Sequence, residues 1–253
     1  MKTDKRADLA ERVVLNPDWR LYIVAVAVAF LVIVLRRPDA ILNPQFFAED
    51  GKMFYADAYN KGITALFLPW CGYLDGFGRI IATFSQLFPL HWAPLLFNLS
   101  VALIRLLTVG LIISPRFSAS VSDIRVRLLL SFLFLALPNS WEANAGLATI
   151  KFHLAFLAFI VITVKGNDKP WHRILDGGII LMSGLTGPCS ILLTPLAALV
   201  WFIRRNKRSL ILFVLIGVCA IIQGMIFIMS SARPQRILGA TPELFVKILS
   251  TQI

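Results

Sequence analysis

The stretch LYIVAVAVAFLVIVL, Leu21 to Leu35, is a continuous apolar run that Arg36 and Arg37 stop abruptly. A hydrocarbon core of about 30 Å takes about 20 helical residues to cross, and a run of this kind is the body of such a helix. The composition of the whole chain agrees: of 253 residues 58 % are hydrophobic, only 15 % are charged, and the mean hydropathy is +0.76. An ordinary soluble domain is about a quarter charged, so this chain has too few charges to coat a water-facing surface. The expected fold class is all-α, a polytopic helical membrane protein. The formal net charge of +11 would point to nucleic acid in a soluble protein, but here the basic residues stand in short clusters between apolar runs. They serve as topology signals, and no nucleic-acid partner is expected.

Outward from that first run, the chain divides into 1–20, a cytoplasmic N-terminal segment, 21–230, a transmembrane helical domain, and 231–253, an extracytoplasmic C-terminal segment. Met1 to Arg20 mixes both signs of charge, and no small-residue cleavage site follows the first apolar run, which predicts a retained helix and not a signal peptide. The first outer loop, 36–91, opens on a polar segment with Asp39, Glu49, Asp50 and Asp57, then becomes apolar but broken by Pro69, Gly72, Gly76, Gly78 and Pro89. That pattern predicts short interfacial helices. Further spans are expected at Trp92–Ser114, Leu128–Pro138, Ile150–Val164, Ile174–Gly187, Cys189–Ile203 and Leu210–Ser230.

Basic residues set the orientation. With the N-terminus and the clusters Arg116/Arg125/Arg127, Lys165/Lys169/Arg173 and Arg204/Arg205/Lys207/Arg208 inside, fifteen cations face the cytoplasm, while the alternate loops Asn139–Lys151 and Gly184–Cys189 add only Lys151. The expectation is seven crossings, N-terminus in and C-terminus out. Trp19, Trp171 and Trp201 then mark an inner aromatic belt, and Trp70 and Trp141 an outer one. Ile174–Ile203 leaves only 30 residues for two crossings, about 22 Å each at helical rise. A hairpin bending at Gly184–Pro188 below the outer surface accommodates them, and it predicts an outward-facing funnel, since irregular backbone at that depth must line a wet cavity or lie buried in protein.

Three polar constellations stand out. Ala48-Glu49-Asp50-Gly51 lies between Phe46, Phe47, Phe54 and Tyr55, so adjacent acids are held close to the membrane by apolar neighbours. A carboxylate there can work as a base or hold a divalent cation; equally, the segment can be a solvated acidic loop capping a short helix. Pro138-Asn-Ser-Trp-Glu142-Ala-Asn144, followed by Lys151 and His153, can hydrogen-bond and stack on a sugar and meet a phosphate, or form an interfacial turn with a snorkelling lysine. Arg105 lies inside an apolar span, where it pairs with Asp176 or binds a lipid phosphate. Arg204–Arg208 is an inner-leaflet anchor. Cys71, Cys189 and Cys219 fall in no metal or disulfide spacing.

Phe46-Phe-Ala-Glu-Asp-Gly51, Phe54, Asp57-Ala-Tyr59-Asn60, Pro69, Gly72-Tyr-Leu74 and Arg79 resemble the first outer loop of bacterial polytopic membrane glycosyltransferases of the GT-C type. Pro138–Glu142, Lys151-Phe-His153 and Gly184–Pro188 resemble their second and third outer loops. The resemblance spans about Pro38 to Pro195 and implies a protein of the bacterial inner membrane. It implies a polyprenyl-phosphate sugar donor, transfer on the outer face to a cell-envelope glycan or lipid acceptor, and contact with membrane lipid. By position it makes Asp50, with Glu49 beside it, the base or metal ligand, and it gives the phosphate to Lys52, Arg79 or Lys151. Glu142 and His153 complete the expected substrate contacts. Such enzymes usually carry more than seven helices, so a truncated or minimal member is expected. A transporter or flippase for a lipid-linked or anionic solute, or an inactive membrane subunit, remains the alternative; acids clustered at the outer boundary and no internal repeat favour the transferase.

Overall fold

A computed structural model describes residues 19–137, 144, 146–165, 170–230 and 241–252. The expected N-terminal segment 1–18, Glu142 with its turn, and 231–240 lie outside the described residues. The chain is nearly all-α. Among the described residues three helices are long and apolar enough to cross a membrane: α1 (Trp19–Arg36), α5 (Ala93–Ile113, preceded by the 3-10 turn Leu90–Trp92) and α10 (Lys207–Met229). Four shorter helices run between them, α6 (Ile124–Ala136), α7 (Ile150–Thr163), α8 (Pro170–Gly184) and α9 (Cys189–Arg204). A last helix, α11, covers Pro242–Gln252. Each expected span falls on one of these helices, with ends displaced by at most four residues.

The helices pack as two groups joined through α5. Ala29, Ile33, Val109 and Leu135 bind α1, α5 and α6 into one core. Leu157, Val161, Ile180, Ala197, Leu212 and Ile216 bind α7 to α10 into another. The outward faces stay apolar, as Val24, Val28 and Leu31 of α1 and Val214, Val218 and Ile221 of α10 are all exposed. A helix apolar on every side belongs in a core or in lipid, and these faces have no protein against them.

Between α1 and α5 the chain does more than lie at an interface. It forms the short helix α2 (Asp39–Leu42), a π-helical turn over Asp50–Tyr55, α3 (Ala56–Lys61), a 3-10 turn over Gly62–Phe67, a two-stranded ribbon of β1 (Pro69–Trp70) and β2 (Tyr73–Leu74), and α4 (Gly76–Ser85). The ribbon is a departure from the expected helices. Its two-residue loop, Cys71 and Gly72, has φ of 50° and 86°, and positive φ at both positions gives a turn whose twist matches paired strands. Phe54, Ala58, Ala65 and Ala82 of this segment form a core with Phe97 and Val101 of α5 and Leu147, Ile150 and Leu154 at the start of α7. The segment is thus a folded cap over one end of the bundle.

The cap is also stitched to the α8–α9 bend and to α10 through its backbone groups. Gly76 N–H donates to Leu185 O at 2.8 Å, and Gly187 N–H to Leu74 O at 2.9 Å. Phe77 N–H reaches Thr186 Oγ1 at 2.9 Å. The buried Gln223 of α10 accepts from Leu74 N–H at 2.9 Å and donates to Leu74 O at 3.0 Å. The Gly184–Pro188 bend, expected to stop short of the surface, is therefore covered by the cap.

Candidate functional site

The acidic motif between α1 and α5 starts the π-helical turn, and its two acids part company there. Asp50 is only 1 % exposed, whereas Glu49 is half-buried and Lys52 exposed. The Asp50 carboxylate accepts from Leu147 N–H through both oxygens, at 2.9 and 3.0 Å, and from Ala148 N–H at 3.3 Å. These are unpaired donors at the entry to α7, where a negative group also meets the positive end of the helix dipole. Close approach is possible because Gly146 has φ of 97° and no side chain; a Cβ there would stand 3.0 Å from Asp50 Oδ2. Burial pushes the Asp50 carboxyl up to about 7 despite those backbone donors. Near neutral pH it is poised to take up or release a proton.

Asp75, which the sequence motifs did not single out, is a second buried carboxylate. It caps α4, accepting from Gly78 N–H at 3.3 Å through Oδ1, while Oδ2 is buried with no donor among the described residues. Burial raises it to about 6, against the pull of Lys151 and Arg79. Its charge also acts on Asp50. The signal that could have found it is local, an Asp-Gly pair opening an amphipathic helix after a turn.

Two expected cations join them. Arg79, 1 % exposed, donates to Asp57 Oδ2 at 2.7 Å and lies over the Phe54 ring at 5.2 Å. Its Nε and Nη2 are buried and meet no acceptor among the described residues. Burial tends to raise Asp57, but Arg79 and the exposed Lys61 outweigh it and hold the carboxyl below its ordinary value. Lys151 leaves α7 toward the ribbon, where its Nζ bonds the Tyr73 hydroxyl and stands 4.7 Å from the Tyr73 ring centroid. Its stem passes Gly187 of the α8–α9 bend.

The structure does not bring all expected residues together. His153 stands two residues after Lys151, about 200° around the helix, and its ring meets Phe134 of α6 edge-on at 5.8 Å. It faces away from the ribbon and from Lys151. Lys52 is exposed on the cap, whereas Asp50, Asp75 and Arg79 are buried. Asp176 pairs not with Arg105 but with Arg116, at 2.5 and 2.7 Å, and with Arg208, at 2.8 and 3.0 Å. Arg116 and Arg208 lie at the same end of the bundle as Asp176, whereas Arg105 lies in the middle of α5. For the divalent cation left open above, no three His, Cys, Asp or Glu side chains converge among the described residues.

The site is thus a buried group of Asp50, Asp75 and Arg79 beside Lys151, closed by the cap. Comparison of the chain with family models, curated proteins and solved structures finds no match in any of the three.

Proposed function

We propose that the protein is a membrane glycosyltransferase of the GT-C type, moving a sugar from a polyprenyl-phosphate donor to a glycan or lipid acceptor of the cell envelope. One observation carries the reading: two carboxylates of raised pKa, Asp50 and Asp75, share one end of the bundle with Arg79 and Lys151. In the transfer an acceptor hydroxyl attacks the anomeric carbon, the bond from that carbon to the lipid phosphate breaks, and the phosphate leaves as an anion. Asp50 takes the hydroxyl proton, with its carboxyl near the working pH. Lys151 and the spare N–H groups of Arg79 offset the charge on the departing phosphate. Asp75 holds Lys151 electrostatically and starts α4.

The reading includes seven crossings, by α1 and α5 to α10, with the N-terminus inside and this site on the outer face of the bacterial inner membrane. The basic clusters support that orientation. The helices α6 to α9 hold 13 to 16 residues, about 20–24 Å at helical rise, which suits a bundle whose outer end recedes under the cap.

The test compares surface glycolipids, by gel and mass spectrometry, from cells with the intact gene, without it, and with Asp50→Asn or Asp75→Asn. A sugar-sized mass shift should appear with the intact gene and vanish in Asp50→Asn at unchanged membrane yield. Identical profiles in all cells would overturn the reading in favour of a transporter or flippase.

A further inference from the structure

The other end of the bundle holds a second feature, independent of that reading. A cavity of about 600 Å³ lies between α8, the end of α9 and the start of α10. Lys165, Arg173, Arg204, Lys207 and Arg208 line it, against a single carboxylate among the described residues, Asp176. Both oxygens of Asp176 are already taken, by Arg116 behind it and by Arg208. Among the described residues the cavity's lining thus carries more cations than acids.

Its floor is rigid. Arg208 donates to Val161 O at 2.8 Å and Val164 O at 3.0 Å, and Arg204 to Val164 O at 3.2 Å and to Thr163 O. Two guanidiniums fixed in this way are organised before any ligand arrives, which lowers the cost of binding. The 23-residue helix α10 also starts here, with Asn206 as its N-cap, and the positive end of its dipole adds to the field. Ile211, Leu212 and Leu215 of α10 supply an apolar wall beside the cations. A polyanion over an apolar wall is the chemistry this combination recognises.

We propose that this cavity is a binding site for a phosphate group, held by Arg204 and Arg208 from below and by Lys165, Arg173 and Lys207 from the rim. The phosphate belongs either to a lipid headgroup whose chains run along α10 or to a soluble anion. Arg205 provides the control, because it sits in the same basic run but turns away. Its guanidinium lies 4.2 Å from the Phe202 ring and its Nε bonds Phe202 O at 2.9 Å. A general attraction of basic residues to an anionic surface would count Arg205 equally with its neighbours.

The experiment uses the full chain, taken from phosphatidylcholine vesicles doped with phosphatidic acid, and counts retained phosphatidic acid by native mass spectrometry. Combining Lys165→Gln, Arg173→Gln and Lys207→Gln should weaken retention about a hundredfold, Lys207→Gln alone about fivefold, and Arg205→Gln less than about twofold. All three rim residues are exposed, so the fold is expected to survive. Inorganic pyrophosphate added to the detergent-solubilised protein separates the sources: displacement at equal concentration assigns the site to a soluble phosphate, and failure to displace assigns it to the lipid. Equal loss per charge in Arg205→Gln and the rim variants, or retention that no variant changes, would overturn the site.

Discussion

At its N-terminal end α7 receives one carboxylate, from a residue 97 positions upstream; at its C-terminal end it receives two guanidiniums, from residues 40 to 47 positions downstream. Both satisfy backbone groups that a helix end leaves unpaired, and both complement its dipole. They differ in what pH can do to them. Asp50 carries a proton through part of the ordinary pH range, whereas arginine in a protein stays charged. One end of the helix is adjustable and the other is fixed, and the adjustable end is where the candidate chemistry lies.

The fixed end should be the harder to lose. Asp176→Ala would leave Arg116 and Arg208 buried without their counter-ion, and removing one partner of a buried pair costs about 3–5 kcal/mol. Loss of the monodisperse peak after detergent extraction, or a large fall in unfolding temperature, is the expected result.

The adjustable end should show itself in a pH series. Because Asp50 and Asp75 are raised in the folded protein, their contribution is fully present at a pH below about 4 and is lost as pH rises through about 6 and 7, by an amount on the order of 3–4 kcal/mol for each group. Tryptophan fluorescence during thermal unfolding should therefore give a lower transition at pH 8 than at pH 5, and Asp50→Asn should flatten the difference. A curve rising with pH would remove the distinction between the two ends.

Smaller effects probe the adjustable end in detail. Gly146→Ala, at φ of 97° and with its new Cβ 3.0 Å from Asp50 Oδ2 and from Phe47, should cost about 1–2 kcal/mol. The loss should show as faster hydrogen exchange at Leu147 and Ala148. Least of all, Lys61→Ala removes the exposed partner of Asp57, 3.0 Å away, and should change stability by about 0.3 kcal/mol, within the scatter of a melting experiment. Asp57 would still hold Arg79.

The helices themselves were legible in the sequence. Apolar runs bounded by Arg36 and Arg37, by Ser114 and by the Arg204–Arg208 run end where the structure ends its helices, since charge and hydration act locally. The pairings were not. Asp176 had three arginines to choose from, and which two lie beside it depends on how α5, α7, α8 and α10 pack, information spread over some 90 residues. Arg204 and Arg208 were legible as basic and not as caps, because the carbonyls they serve belong to another helix. The divergence of Lys151 and His153 was legible from their spacing of two, which helical geometry sends to nearly opposite sides. Asp75 shows the reverse case, a residue whose turn was plain but whose burial was decided by the remote α8–α9 bend.

Gln223 has a bearing on how the chain is made. Its amide pairs with both the N–H and the C=O of Leu74, so one side chain acts as a single peptide unit of a third strand. The two partners are 149 residues apart, and at ribosomal speed that separation is on the order of ten seconds of synthesis. During that interval the ribbon edge has only the α8–α9 bend to dock on, through Gly187 N–H to Leu74 O, and its pairing stays incomplete until α10 emerges. Completion of the cap is in this way timed by the arrival of an apolar helix long enough to cross a membrane.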